Sequence, residues 1–223
     1  CYSIKDGSKL WQLKTENSFI NSPKKLSIVL KNDTAYFNNS LGDITAVNID
    51  NGSLKWQIST QSSDIYEEIF NFKTSEIIAG YKSILFSNNK NEFYSVDHVS
   101  GTINWKQQVN SDLRPVLIGN IVLTISTEGY LYIIENETGN IIRVTDIFDR
   151  FKEKKRKQIK PIGFLVGLND IFLTTNKGSL LVIDKLTGKT KSIFKFSKSK
   201  LSRPLSLNQN MFIIKDNAII KLN

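Results

Sequence analysis

A short turn ending in glycine returns five times along this chain, and its spacing restricts the fold more than any other feature. The clearest copy is 94–107, YSVDHVSGTINWKQ: an alternating strand, a turn closing on Ser-Gly, and a second strand carrying Trp105 four residues after Gly101. The device recurs at 46–57 with Gly52 and Trp56, and in shortened form at 2–12 with Gly7 and Trp11. It returns without the tryptophan at 131–143 around Gly139 and at 181–192 around Gly188, where Arg143 and Ser192 replace the ring. The glycines lie 45, 49, 38 and 49 residues apart. That spacing is the ~40–50 residues of a four-stranded propeller blade. In Asp50-Asn51-Gly52 the turn also has the residues that tolerate positive φ, as a tight hairpin requires.

Alternation and turn residues divide each repeat into four short antiparallel strands, A to D. A C–D pair is expected at 2–4 and 10–13. Complete sets follow at 26–30, 34–37, 44–49 and 54–58; at 77–80, 84–87, 93–97 and 103–109; at 116–118, 121–126, 130–135 and 141–145; and at 161–166, 171–175, 180–184 and 190–196. The last repeat offers only A to C, at 205–207, 211–215 and 218–222. All four prolines, Pro23, Pro115, Pro161 and Pro204, fall at the entrance to a strand A, where a missing donor and a fixed φ are tolerated. The expected fold class is therefore all-β: one partial β-propeller domain over 1–223. Its units are 1–14, 23–60, 75–109, 113–145, 160–197 and 202–223. About five blades are present and four are complete. One strand is left over if the ends close on each other, so the reading is a fragment of a seven- or eight-bladed parent, with 223 read as its natural end.

The three tryptophans are expected to pack between neighbouring sheets with each N–H on a backbone acceptor. The junctions that lack one are expected to be more weakly joined. Thirty basic against twenty-one acidic residues give a net charge of +9. That balance favours acidic partners: nucleic acid, anionic lipid or an acidic protein face. It also reads simply as lysine-rich solvated rims. The segment 146–160, DIFDRFKEKKRKQIK, breaks the repeat pattern. Between 152 and 160 it sets six basic residues (Lys152, Lys154, Lys155, Arg156, Lys157, Lys160) against Glu153. Ile147, Phe148 and Phe151 are expected to pin its start as a short helical turn, and the rest reads as a solvated loop or a docking finger for an acidic protein or anionic lipid. It lacks the interleaved aromatic residues of a single-strand nucleic-acid binder, so no nucleic acid is expected. Arg114, Lys160 and Arg203 each precede a strand-A proline, and strand A lines a propeller's channel, so these three are expected to converge at one mouth of it. His98, the only histidine, is expected to be exposed in its turn. Cys1, the only cysteine, has no internal disulfide partner. It falls in register with a repeat strand and reads as a cut end rather than a lipid-bearing tether. No apolar run approaches the ~18 residues of a membrane helix.

The run Asp-x-x-Thr-Gly-x-x-x-Trp, seen here as Asp97 to Trp105, Asn48 to Trp56, Glu135 to Gly139, and Asp184 with Thr187 and Gly188, resembles the repeat of the PQQ-like β-propeller family. Within that family the chain looks most like the BamB-like outer-membrane assembly factors. The resemblance implies a non-catalytic scaffold without cofactor or small-molecule substrate. Such a scaffold supports insertion of outer-membrane β-barrel proteins through contacts with the barrel-insertase complex. It also implies a lipoprotein parent at the periplasmic face of the bacterial outer membrane. The alternatives are a PQQ-dependent quinoprotein dehydrogenase and a general protein-docking propeller. The dehydrogenases of the family use a carboxylate base, a calcium ion and often a vicinal cysteine pair. One cysteine cannot form that pair, and no carboxylate cluster has the spacing of a calcium cage.

Overall fold

The computed structural model describes residues 1–15, 27–39, 42–60, 74–88 and 91–222. It divides into two compact units, Cys1–Pro115 and Val116–Asn223. In the first unit, β1 (Ile28–Lys31), β2 (Thr34–Asn38), β3 (Ile44–Asn48) and β4 (Leu54–Ile58) pair in chain order, as do β5 (Ile78–Ala79), β6 (Ser83–Ser87), β7 (Glu92–Asp97) and β8 (Ile103–Gln108). The second unit has β9 (Val116–Ile118), β10 (Ile121–Ile125), β11 (Tyr130–Glu135) and β12 (Ile141–Asp146), then a short helix α1 (Glu153–Arg156). β13 (Pro161–Val166), β14 (Asp170–Thr175), β15 (Ser179–Asp184) and β16 (Thr190–Lys195) follow, and β17 (Leu205–Leu207), β18 (Asn210–Lys215) and β19 (Ala218–Leu222) make a three-stranded sheet. All neighbouring strands are antiparallel, so each sheet is a meander of the kind the repeat predicts.

Two details of the strands differ from the sequence expectation. Residues 1–12 hold no strand pair: the C–D hairpin there is one bridge, Tyr2 to Lys9, with the turn closed by Gly7 N–H on the Ser3 carbonyl at 2.9 Å. Among the described residues it has no neighbouring strand to lengthen the ladder. Pro161 stands inside β13 as its first residue, opposite Thr175, and a bulge before Gly163 absorbs the missing donor. Pro115 and Pro204 directly precede β9 and β17 as expected, while Pro23 and residue 26 lie outside the described residues.

The repeated turn is built the same way each time. The amide of each turn glycine donates to the carbonyl four residues earlier, Gly52 to Asn48, Gly101 to Asp97, Gly139 to Glu135 and Gly188 to Asp184, at 2.8–3.0 Å. The Asx side chain accepts from the turn amides as well: Asp97 Oδ1 from Val99 and Ser100, Asn48 Oδ1 from Asp50 and Asn51, Asp184 Oδ1 from Thr187. This local bonding explains why Asp and Asn occupy that place. A bulge follows in every one of the four complete sheets, at Ala46/Val47, Ser95/Val96, Ile133/Ile134 and Val182/Ile183.

Neighbouring sheets of the first unit are joined over these turns. The Trp11 ring lies so close to Gly52 that an added Cβ would sit 2.5 Å from it, and the Trp56 ring covers Gly101 at 2.8 Å. Each indole N–H then bonds the carbonyl that follows the Asx residue, Trp11 to Ile49 at 2.9 Å and Trp56 to His98 at 3.2 Å. Tyr36 donates to the same His98 carbonyl at 2.9 Å and packs 5.7 Å from the Trp56 ring. His98 is thus half-buried beneath its neighbours rather than exposed, with Nδ1 3.1 Å from the Lys82 carbonyl. Below this contact, Tyr36, Ile44, Ala46 and Trp56 of one sheet meet Ile77, Ile84, Phe86, Tyr94 and Val96 of the next in one apolar cluster. Truncating a buried ring of this size costs about 3–5 kcal/mol.

A second repeat, not apparent from the glycine count, lies at the opposite ends of strands B and C. The amide that opens strand C donates to a side-chain oxygen four residues earlier: Asp43 to Asn39, Glu92 to Asn88, Tyr130 to Ser126, Ser179 to Thr175, at 3.0–3.3 Å. The residue before that amide has positive φ in every case, Gly42, Asn91, Gly129 and Gly178. Its varied identity, Asn, Ser or Thr and then Gly or Asn, hides the pattern in the sequence.

Two predictions follow from this geometry. Gly7 and Gly101 have nearly the same φ, 72° and 77°, but nothing lies within 4 Å of a Cβ on Gly7. Alanine at either site carries the left-handed penalty of about 1–2 kcal/mol. Gly101→Ala is expected to lose roughly 1–3 kcal/mol more, because it must displace the Trp56 ring; urea midpoints of the two variants measure the difference. The second concerns acid. The Lys191 ammonium, then the Thr187 amide and hydroxyl, hold the Asp184 carboxyl well below its ordinary range. A depressed carboxylate stabilises the fold above its unfolded value and loses that contribution as pH falls. Asp184→Asn, which keeps the turn's acceptor, is expected to show a shallower loss of urea midpoint than wild type between about pH 5 and about pH 2.

Candidate functional site

The basic insert is folded at its root and free at its tip. Ile147 and Phe148 are fully buried, as expected, and the Phe148 ring lies against Gly129, where a Cβ would come within 2.1 Å of it. Phe151 meets Phe148 edge to face at 5.7 Å. The helical turn forms later than expected, at α1, because residues 147–151 are committed to these contacts. Arg156 turns inward: it pairs with Asp146 and stacks 5.4 Å from the Tyr130 ring. Sheet β13–β16 holds the other side. Thr190 Oγ1 donates to the Ile147 carbonyl at 2.8 Å, Arg150 donates to the Lys191 carbonyl at 2.8 Å, and Asn176 bonds the backbone of Gln158 and Lys160. The insert therefore also serves as a strap between sheets β9–β12 and β13–β16.

Beside that strap, the junction without tryptophan has another chemistry. Arg143 donates to the carbonyls of Leu186 and, at 3.3 Å, Lys185, and Lys185 follows Asp184 just as His98 follows Asp97. Thr145 takes the ring's place over Gly188, with Oγ1 2.7 Å from a Cβ there. An arginine fork captures the carbonyl that an indole N–H captures elsewhere, while its buried Nε has no partner among the described residues. At the Ser192 repeat the join to β17–β19 lies elsewhere: the stem of Arg203 packs on Gly163, Thr174 donates to the Ser202 carbonyl at 2.8 Å, and Ser199 donates to Asp216 at 2.7 Å.

These assignments sort the predicted contact residues. Lys154 and Lys155 are exposed on α1. Lys157 is exposed and pairs with Glu153 at 3.0 Å, a surface pair of little energetic weight. Arg156 is an anchor with internal partners. Arg114, in the first unit, is about half exposed and faces Glu76 at 3.7 Å. In the second unit, Lys160 is exposed with its amide on Asn176, and Arg203 is held by its stem. The carboxylates are engaged too. Asp170 and Asp184 share Lys191 at 2.8 Å, and Asp33 takes Lys55 at 2.8 Å. Burial raises the Glu92 pKa, but hydrogen bonds from Lys106, Tyr94 and Asn88 together outweigh it and leave that carboxyl below its ordinary value. Among the described residues, no group of three or more His, Cys, Asp or Glu is placed to hold a metal ion, and no helix is long and apolar enough to cross a membrane.

Comparison with known proteins agrees with this architecture. The chain is 23% identical over 178 residues to the uncharacterized protein RP232 of Rickettsia prowazekii, covering 78% of this chain and 42% of that one, so it spans less than half the length of that curated relative. Its structure matches the crystal structure of BamB from Moraxella catarrhalis over 99% of this chain and 76% of that one, with a TM-score of 0.62 at 14% identity. It also matches the quinohemoprotein alcohol dehydrogenase of Comamonas testosteroni over 84% of this chain and 39% of that one, TM-score 0.59 at 13% identity. Likeness at such identity speaks for fold alone: an all-β, partial β-propeller of antiparallel blades. A family model described as "Outer membrane protein assembly factor BamB" matches residues 1–145. With well over half of its residues under that model, the chain belongs to the PQQ-like repeat family of outer membrane protein assembly factor BamB.

Proposed function

We propose that this chain is part of a non-catalytic propeller scaffold that supports assembly and insertion of outer-membrane β-barrel proteins. It would act at the periplasmic face of the bacterial outer membrane, within a lipid-anchored parent, with the barrel-insertase complex as its protein partner. The observation that carries the reading is the family match over 1–145, which includes four of the five hairpin turns. The use of the side chains supports it: the Asx carboxylates close turns or hold lysines, and the large rings fill junctions between sheets. The exposed lysines of the insert and the half-exposed Arg114 are suited to an acidic protein face. The contact points proposed are Arg114, Lys160 and Arg203 at the strand-A entrances and Lys154, Lys155 and Lys157 on the insert. The propeller shared with the alcohol dehydrogenase leaves a quinoprotein as the alternative, and addition of PQQ with Ca²⁺ tests it through a bound chromophore.

A pull-down from detergent-extracted envelope tests the main reading. Wild-type chain is expected to retain the barrel-insertase complex, and Arg114→Gln combined with Arg203→Glu to retain about tenfold less, as for loss of charge pairs at an interface. Glutamine avoids a second carboxylate beside Glu76, and glutamate keeps the Cβ and Cγ that pack on Gly163. Failure of wild type to recover the complex rejects the scaffold role. Equal recovery by the variant rejects these two contact points.

A further inference from the structure

We propose that a cleft between the insert and sheet β13–β16 binds an acidic peptide segment that carries one bulky apolar side chain. The cleft encloses about 450 Å³, within the about 300–1,000 Å³ range of small ligand sites. Its floor is Phe151, Ile159 and Ile193, and its rim carries Lys155, Lys177 and Lys195. Ile159 is 8% exposed and the other two floor residues are half-buried, so the apolar surface is recessed while all three lysines reach solvent. No acidic side chain lines it. On the insert, Asp146 and Glu153 are paired with Arg156 and Lys157, and Asp149, exposed two residues before Phe151, is not among the residues that line the cleft. The Lys195 ammonium donates to the Lys177 carbonyl, which ties two rim residues together, and the Lys177 side chain is exposed.

The walls are built before any partner arrives. Phe148 under Gly129, Phe151 against Phe148, and Arg156 on Asp146 fix the insert. Thr190 and Asn176 fasten it to β16 and to the β14–β15 turn. A preformed site avoids much of the ordering cost of binding. Recessed apolar floor and cationic rim together select the occupant. A bilayer is bound by apolar groups that project into it, whereas this floor accepts a group projected by the partner. The rim cations are lysines, which act as point charges without the fork that grips a phosphate bidentately. Acidic residues flanking a Phe or Leu meet both requirements.

The inference does not depend on the identity of the scaffold's partner, and its test uses the isolated chain. A dye-labelled peptide of sequence Asp-Glu-Phe-Asp-Glu is titrated into the full chain and followed by anisotropy. Saturable binding is expected, weakened by salt. Lys155→Glu combined with Lys177→Glu, both exposed and remote from the core, is expected to weaken it about tenfold or more, with circular dichroism unchanged. Replacing the peptide's Phe by Ser is expected to weaken it by a similar factor. Absence of saturable binding overturns the proposal, as does binding indifferent to the lysine substitutions or to the Phe-to-Ser change. Displacement of the peptide by phosphatidylglycerol vesicles, lost in the lysine variant, would make the cleft a lipid site and overturn it equally.

Discussion

The fold depends on how one repeat's outer strand meets the turn of the next. A ring or small side chain lies on a glycine that has no Cβ, and a side-chain donor takes the carbonyl just past the Asx residue. The close approach needs glycine, the glycine needs positive φ, and the tight turn supplies that φ. At Gly52, Gly101 and Gly188 the three conditions are met together, whereas Gly7 has the turn and the φ without the close approach. At the tryptophan junctions, removing the water is offset because each indole N–H finds its acceptor.

The contact survives a change of chemistry. Trp11 and Trp56 supply large apolar area plus one donor. Arg143 and Thr145 divide those duties, the guanidinium taking the carbonyls and the threonine covering Gly188. Less apolar surface is buried that way, and the same junction has the insert as an added strap, with Phe148 and Ile147 fully buried beneath it. The charge of the insert and its packing are therefore separate properties. Its aromatic root and Arg156 serve the fold, and its lysines face solvent.

Consumption of polar groups by structure bears on function. Here Asp97, Asp184 and Glu92 are drawn below their ordinary values by turn amides, by Lys191 and by Lys106, so their ionisation is tied to stability. Lys154 and Lys155 of the insert, by contrast, are exposed on α1.

The glycine period, the proline positions and the alternation of Ile, Val, Leu and Tyr carried the architecture: every strand beyond 27 falls within two residues of its expected place, since those signals act over a few residues of backbone. The hairpin at 1–12 fell short because ladder length depends on neighbours, not on alternation. The B–C turn repeat went unseen because Asn, Ser and Thr do the same bonding under different letters. Site reading was less complete. Six basic residues were visible between 152 and 160, but which of them face solvent was decided by Asp146 at the start of the insert and by Tyr130 and Gly129 on the preceding sheet. The sequence by itself determined the repeat and its turns, which are local matters of φ and hydrogen bonding. Only tertiary packing decided that Arg143 replaces a tryptophan, that Arg156 is an anchor, and that Phe151, Ile159 and Ile193 share a cleft, because those depend on which surfaces meet.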